Sequence, residues 1–178
     1  GETAPPRWAL GLALGLAVVA FVPSLTAPLI EYDDPLYVTA NEAIKVPGWA
    51  GLQLQWSPER AWSGNYVEYF PLRDTVYWGL YQRFGTASLP YHLASLAFHL
   101  LSIVGVWALT RQWRARPWVT VAATLMFAVH PIHIESVSWV ASMKDPFFTA
   151  LMFAGLWAWF RYRETPRAGW LAASLPAL

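Results

Sequence analysis

Residues 8–30, WALGLALGLAVVAFVPSLTAPLI, contain no charged side chain and are followed at once by Glu31-Tyr32-Asp33-Asp34-Pro35. About 20 apolar residues are enough for a helix to cross the hydrocarbon layer of a bilayer. Two adjacent carboxylates therefore stand where a spanning helix would meet water. Ionisable groups at such a place indicate a functional site. The alternative interpretation is a turn that stops the helix, because Pro35 disfavours a helical Asp34.

The composition predicts an integral membrane protein of the all-α class. The 178 residues are 56% hydrophobic and 13% charged, with 12 Trp, whereas soluble domains are roughly 45–50% apolar. Cysteine is absent, which excludes disulfides and thiolate chemistry. The first apolar run is too long for a secretory signal, so we interpret it as a retained anchor. Without an initiator Met and with a final apolar stretch, we expect a chain truncated at both ends.

The apolar segments predict one polytopic membrane domain over residues 1–178. We place four spans and the start of a fifth at residues 8–30, 90–110, 118–140, 146–160 and from 169 onward. The third is expected to break at Pro131, because proline interrupts helical hydrogen bonding. The first two spans are separated by a long loop, residues 31–89.

The distribution of arginine predicts the orientation of the chain. Cytoplasmic loops carry the excess of basic residues. Seven arginines lie beside the predicted spans on one side: Arg7, Arg111, Arg114, Arg116, Arg161, Arg163 and Arg167. We therefore expect a cytoplasmic amino terminus, with the loop 31–89 and residues 130–145 on the outer side, the periplasmic side of a bacterial inner membrane.

The long loop is predicted to contain structure of its own. Residues 70–85 repeat apolar side chains every fourth position, at Leu72, Val76, Leu80 and Phe84. This spacing predicts an amphipathic helix. Its neighbouring aromatics, Tyr77, Trp78 and Tyr81, favour a position in the membrane interface, and packing on the rest of the loop is the alternative. A shorter helix is expected over residues 57–62, where Pro58 follows Ser57.

A second polar segment, residues 130–145, reads HPIHIESVSWVASMKD. His130, His133 and Glu135 are candidate ligands of a divalent metal, although Pro131 interrupts the helix that would align them. Alternatively, the histidines satisfy backbone groups at the broken helix. Lys144 and Asp145 either neutralise one another, or Lys144 receives an anion such as a lipid phosphate.

The second predicted span carries two further histidines, His92 and His99, seven residues apart on one face. We expect them to form a buried polar seam between helices.

Four strings together resemble a known family: YDDPLYVTAN (32–41), YFPL (69–72), YHL (91–93) with His99, and HPIHIESV (130–137) with Lys144-Asp145. They are similar to the amino-terminal membrane region of the transmembrane and tetratricopeptide-repeat O-mannosyltransferase-like proteins, which are membrane glycosyltransferases of the GT-C fold. The resemblance implies a partial GT-C-like bundle and a polyprenyl-phosphate-linked sugar donor. It also implies that Asp33 or Asp34 is the catalytic carboxylate.

The resemblance further assigns a donor side to the polar residues of the two outer segments. These are Arg73, His130, His133, Glu135, Lys144 and Asp145, with Arg73 or Lys144 balancing the phosphate charge. It implies no cofactor beyond the lipid-linked sugar and leaves a metal undecided. Expected partners are membrane lipids, the donor and other membrane subunits, but not nucleic acid, because no basic groove is present.

A GT-C enzyme has about twice as many spans as this chain supplies. The alternative function is therefore a non-catalytic accessory subunit of a larger membrane complex.

Overall fold

The computed structural model describes residues 4–58 and 68–175, and within these ranges the chain is helical and has no strand. The helices are α1 Arg7–Phe21, α2 Glu42–Lys45, α3 Gly48–Gln55, α4 Pro71–Phe84, α5 Ser88–Gln112, α6 Pro117–Val129, α7 His133–Ser138, α8 Lys144–Glu164 and α9 Ala168–Ser174. Three short helical turns join them: 3₁₀ helices at Val22–Thr26 and Val140–Met143, and a π-helix at Pro35–Thr39. The expected helix over residues 57–62 lies mostly outside the described residues.

Two helical segments of the described chain are long and apolar enough to cross a membrane. They are Arg7–Thr26, with 20 residues, and α5, with 25 residues. The first is shorter than the expected 8–30, because Pro23 lacks the N–H that would continue the α-helix and the chain tightens into a 3₁₀ turn. Residues 27–30 then lie outside any helix.

The predicted break in the third apolar segment is confirmed. Helix α6 has 13 residues and ends at Val129. His130 is extended (φ −64°, ψ 129°), which is the conformation that a following proline favours. A separate short helix, α7, then begins at His133. Helix α8 corresponds to the fourth predicted span, residues 146–160. It is longer than predicted, with 21 residues from Lys144 to Glu164.

Helix α1 packs through a stripe of small residues. Its inward face repeats every fourth residue at Ala9, Ala13, Ala17 and Phe21, and Ala13 and Ala17 pack with Ile103 and Ala128 in one buried cluster. Small side chains let helix backbones approach closely, as they do in membrane bundles. The outward face is also apolar, with Val19 72% exposed. A helix that is apolar all round suits a hydrocarbon environment.

The expected buried histidine seam on α5 is confirmed. His92 and His99 are each 2% exposed. The Nε2 atom of His92 lies 3.1 Å from the carbonyl oxygen of Ala27, and that of His99 lies 3.1 Å from the carbonyl oxygen of Ala128. Carbonyls near a helix end lack partners within the helix. The two histidines therefore join α5 to the ends of neighbouring helical segments, at Ala27 and Ala128.

The face that α4 buries differs from the prediction. Arg73, Asp74 and Tyr77 are its buried residues, whereas Leu72 and Phe84, at the two ends of the apolar line, are 38% and 49% exposed. The interfacial role expected for Tyr77 is wrong, because its side chain is 1% exposed and lies in a buried cluster with Val38, Ile44, Tyr91, Val140 and Met143. The helix buries Arg73 because Glu68, from the preceding segment, supplies a partner for its charge. The spacing of apolar residues alone does not predict which face is buried in such a case.

Close packing of α5 against α8 depends on Gly105. A Cβ atom at this position would lie 2.6 Å from the Cβ atom of Phe153. We expect Gly105→Ala to cost about 1–3 kcal/mol, since two helix backbones would have to separate. In Gly15→Ala, the matched control, the added methyl group meets nothing within 4 Å.

Thermal unfolding in detergent checks this prediction. The Gly105→Ala protein should unfold several degrees below the wild type, while Gly15→Ala should equal or exceed it, because alanine favours a helix interior. Equal unfolding temperatures for the two variants would contradict the packing described.

Candidate functional site

Asp34 is a buried carboxylate that holds two distant segments together. It is 1% exposed. One oxygen, Oδ2, accepts a hydrogen bond of 2.7 Å from the backbone N–H of Ile30, and the other, Oδ1, accepts one of 2.8 Å from the N–H of Ala141. The second bond joins residues 107 positions apart. Both carboxylate oxygens are thus committed to backbone donors.

Asp33, its neighbour, is in a different environment. Its side chain is half-buried, and it accepts no hydrogen bond and forms no ion pair among the residues that the structure describes. Its backbone carbonyl accepts the N–H of Leu36 at 3.0 Å, which fixes the turn on which the carboxylate stands. Among the described residues, Asp34 is therefore the carboxylate with hydrogen-bond partners, and Asp33 is the one that shows none.

Arg73 forms the centre of an ionic cluster in the long loop. It is 2% exposed, its Nε–H donates to Asp74 Oδ1 at 2.8 Å, and its Nη1–H donates to Glu68 Oε2 at 2.8 Å. The guanidinium carbon lies 4.9 Å from the ring centres of both Tyr37 and Phe70. Burial alone lowers the pKa of Arg73, but the charge and hydrogen bond of Asp74 outweigh it and raise the pKa.

Lys144 joins this cluster from the start of α8. Its Nζ lies 3.3 Å from each carboxylate oxygen of Glu68. The predicted mutual neutralisation of Lys144 and Asp145 is therefore wrong, because Glu68 supplies the lysine's counter-charge and Asp145 accepts a hydrogen bond from Ser136 at 3.4 Å. Adjacent residues at a helix start point in different directions, so each finds its partner across the fold.

Glu68 is the functional candidate that the sequence reasoning missed. It bridges a buried arginine and a half-buried lysine, 76 positions away along the chain. Partial burial alone raises the pKa of the Glu68 carboxyl, but hydrogen bonds from Lys144 and Arg73 and their positive charges lower it overall. The available signal was an acid two residues before the Phe70-Pro71 pair, in a loop that also carries Arg73.

Tyrosine contacts hold the three segments of the site in one place. The hydroxyl of Tyr77 donates to the carbonyl of Val140 at 2.6 Å. The ring of Tyr77 stacks on that of Tyr37, with centroids 5.5 Å apart. Residues 33–37, 68–77 and 140–144 are consequently fixed against one another, and the cluster of Glu68, Arg73, Asp74 and Lys144, hereafter the ionic cluster, lies where they meet.

The remaining predicted residues do not join the ionic cluster. His130 and Glu135 are exposed, and neither makes a hydrogen bond or ion pair with the ionic cluster. The His130 and His133 ring centroids are 6.3 Å apart, and His130 Nδ1 accepts the N–H of Ile132 at 3.2 Å. No three metal-ligating side chains come together within residues 4–58 and 68–175.

His133 instead turns towards the helix bundle. Its ring lies 4.9 Å from that of His99 and 4.6 Å from that of Phe127. A small cavity of about 30 Å³ lies here, and Asp145 is also in its lining. The predicted donor-side residues thus lie in three places: Arg73 and Lys144 in the ionic cluster, His133 and Asp145 in the lining of this cavity, and His130 and Glu135 on the exposed surface.

An apolar groove lies between α5 and α8. Its volume is about 380 Å³, and it extends from Phe98 and Phe147 to Ala108 and Trp157. Phe147 is one helical turn beyond Lys144, and ring contacts lead from it back to the cluster: Phe147 to Phe148 at 5.2 Å, and Phe148 to Phe70 at 5.6 Å. Ring contacts therefore link one end of the groove lining to Phe70, whose ring lies against the Arg73 guanidinium.

Comparison with known proteins gives a distant relationship. A Caenorhabditis elegans protein named protein O-mannosyl-transferase is 25% identical over 112 residues, which cover 61% of this chain and 16% of that protein. The chain thus spans a small part of its relative's length. No family model matches, and no solved structure matches.

We expect Asp34→Asn to destabilise the fold by about 1–3 kcal/mol, because an amide oxygen can replace one carboxylate oxygen while the amide nitrogen faces an N–H and leaves it unsatisfied. Hydrogen exchange should accelerate at the amides of Ile30 and Ala141. Asp33→Asn is the matched control and should leave exchange unchanged at both amides; equal behaviour of the two variants would argue against the buried contacts.

The Glu68 carboxylate is expected to make stability depend on pH. Its pKa is lower in the folded than in the unfolded chain, so its contribution is present above the ordinary value of 4.5 and is lost as the pH falls through the lowered folded pKa. The unfolding temperatures of wild type and Glu68→Gln, measured between about pH 6 and pH 3, should converge towards the acidic end. A constant difference would contradict the shift.

Proposed function

We propose that this chain is the amino-terminal part of a membrane glycosyltransferase that moves a sugar from a polyprenyl-phosphate donor to a hydroxyl group of a protein or glycan. The observation that carries the proposal is that the carboxylates of Asp33 and Asp34 differ in burial and in hydrogen bonding. Asp34 gives both oxygens to backbone donors, whereas Asp33 is half-buried and has no such partner among the described residues. One carboxylate positions the turn, and the other is available as a general base.

The proposed reaction is a single displacement at the sugar C1 atom. Asp33 accepts the proton of the acceptor hydroxyl as its oxygen attacks C1. The new C–O bond forms while the bond from C1 to the phosphate oxygen breaks, and that electron pair leaves with the phosphate. Attack opposite the leaving group inverts the anomeric centre. Cations beside the phosphate stabilise the charge that develops there, and Lys144 and Arg73 are suited to this role.

The membrane arrangement follows from the two apolar helices and the positions of the charges. We assign the arginines in and after the last turns of α5 and α8 to the cytoplasmic side. Helix α8, at 21 residues, is about 31 Å long at 1.5 Å per residue, enough for a further span. Asp33 and Lys144 then face the outer compartment, and with α6 and α7 completing the third crossing the bundle has four spans.

The distant relative supports the reaction class through its name, protein O-mannosyl-transferase. We therefore propose mannose as the first sugar to test. The groove between α5 and α8 also supports a lipid-linked donor, because its lining is apolar and suits a hydrocarbon chain.

The test is transfer from polyprenyl-phosphate mannose by membranes containing the full-length protein. Asp33→Asn should lower the transfer rate by about 10²–10⁴-fold, the usual contribution of a general base. Asp33→Glu keeps a carboxylate and should retain part of the activity.

Binding of the donor should survive in Asp33→Asn, since the base acts on the acceptor. Unchanged turnover in this variant would refute the assignment of Asp33. If wild-type membranes transfer no sugar from any lipid-linked donor tried, the non-catalytic accessory subunit becomes the better explanation.

A further inference from the structure

The ionic cluster is electrically balanced, and its four members are not equally fixed. Arg73 and Asp74 are adjacent in α4, are 2% and 7% exposed, and bond to each other at 2.8 Å. Lys144 begins α8. Glu68 lies outside the helices, with its side chain 36% exposed. Of these residues, Glu68 is therefore the one that can leave with the least disturbance of the core.

The position of the Glu68 carboxylate is that of a bridging anion. Its oxygens receive an N–H from the Arg73 guanidinium at 2.8 Å and face the Lys144 ammonium at 3.3 Å. Arginine binds carboxylates and phosphates through the same fork of donors, and lysine binds either as a point charge. The two donors at this position, an Arg73 Nη1–H and the Lys144 ammonium, therefore suit a phosphate oxygen as well as the Glu68 carboxylate.

We infer that the Glu68 carboxylate occupies the place of a substrate phosphate and is displaced when a phosphate group binds between Arg73 and Lys144. This inference rests on the proposed function and deepens it by naming the anion site and its built-in competitor. A phosphodiester carries one negative charge, as the Glu68 carboxylate does. The exchange therefore leaves the cluster neutral and spares Arg73 a buried, unpaired charge, which would be costly.

Glu68 also organises the two cations before a ligand binds. It holds Arg73 and Lys144 together, although two cations would otherwise repel one another. The anion site is thus already assembled when the ligand arrives, and less ordering is needed at the moment of binding. The same contact weakens apparent affinity, because the ligand must first replace the carboxylate.

The inference predicts the sign of a mutational effect. Glu68→Gln should bind phosphate about three- to tenfold more tightly than wild type, because the competitor loses its charge while the cations stay. Glu68→Asp, with a shorter carboxylate, should fall between them. Lys144→Gln should bind least well. If Glu68 were merely structural, its removal would weaken binding or leave it unchanged.

The matched control is Glu42→Gln, which removes the same charge from a carboxylate in the same loop. Glu42 pairs with Lys45 at 2.7 Å and is largely exposed, outside the ionic cluster. A general change in electrostatic attraction would act on both variants alike, so equal tightening in Glu42→Gln would overturn the inference.

The experiment is a binding titration of the full-length protein in detergent with two probes, inorganic phosphate and farnesyl phosphate, alongside a thermal unfolding scan of each variant. Tighter binding of both probes by Glu68→Gln supports a general phosphate site. Tightening for farnesyl phosphate alone also supports the site and identifies a lipid phosphate as its ligand. Equal or weaker binding of both probes by folded Glu68→Gln refutes the inference, and Glu68→Asp provides the same test if Glu68→Gln does not fold.

Binding and transfer are measured separately, so the two proposals fail separately. If Glu68→Gln binds phosphate as wild type does and Asp33→Asn is inactive, the inference that Glu68 is displaced by phosphate is refuted, and the proposal of a glycosyltransferase is retained. If Glu68→Gln binds phosphate more tightly and Asp33→Asn is fully active, the anion site is supported, and the role of Asp33 as general base is refuted.

Discussion

The arrangement of the loop between the first two long helices depends on the two backbone hydrogen bonds that Asp34 accepts. A carboxylate that is 1% exposed is tolerated when hydrogen-bond donors replace its lost hydration. The N–H of Ile30 supplies one donor from the chain that leaves the first helix, and the N–H of Ala141 supplies the other from the turn before α8. Removing either donor would leave a buried charge poorly compensated, so the two segments are held in a fixed relation.

That relation brings the other groups of the site together. The turn after Ala141 carries Lys144, and the segment after Asp34 carries Tyr37, whose ring lies against Arg73. Tyr77 fastens α4 to the same turn through the carbonyl of Val140. The result is a charge cluster with buried and half-exposed members, built from segments that are far apart in the sequence.

Much of the helical framework was predictable, because long apolar runs and prolines act locally. The helix break before Pro131 follows from the steric effect of proline on its predecessor, and the buried His92 and His99 follow from polar residues on one face of an apolar helix. The inward face of α4 was not predictable in this way. Its spacing indicated an apolar buried line, but Arg73 and Asp74 are buried because Glu68 and the rings of Tyr37 and Phe70 surround the guanidinium.

The sequence by itself determined a helical chain with at least two segments able to span a membrane, because helix length and apolarity depend on neighbouring residues along the chain. It also indicated the Asp33-Asp34 pair as a candidate site. Only the tertiary structure decided that Asp34 is the carboxylate buried against two backbone N–H groups, and that Lys144 pairs with Glu68 rather than with Asp145. Such choices depend on hydrogen bonds and ion pairs between residues 76 or 107 positions apart, and no local pattern encodes the direction in which a side chain will find its partner.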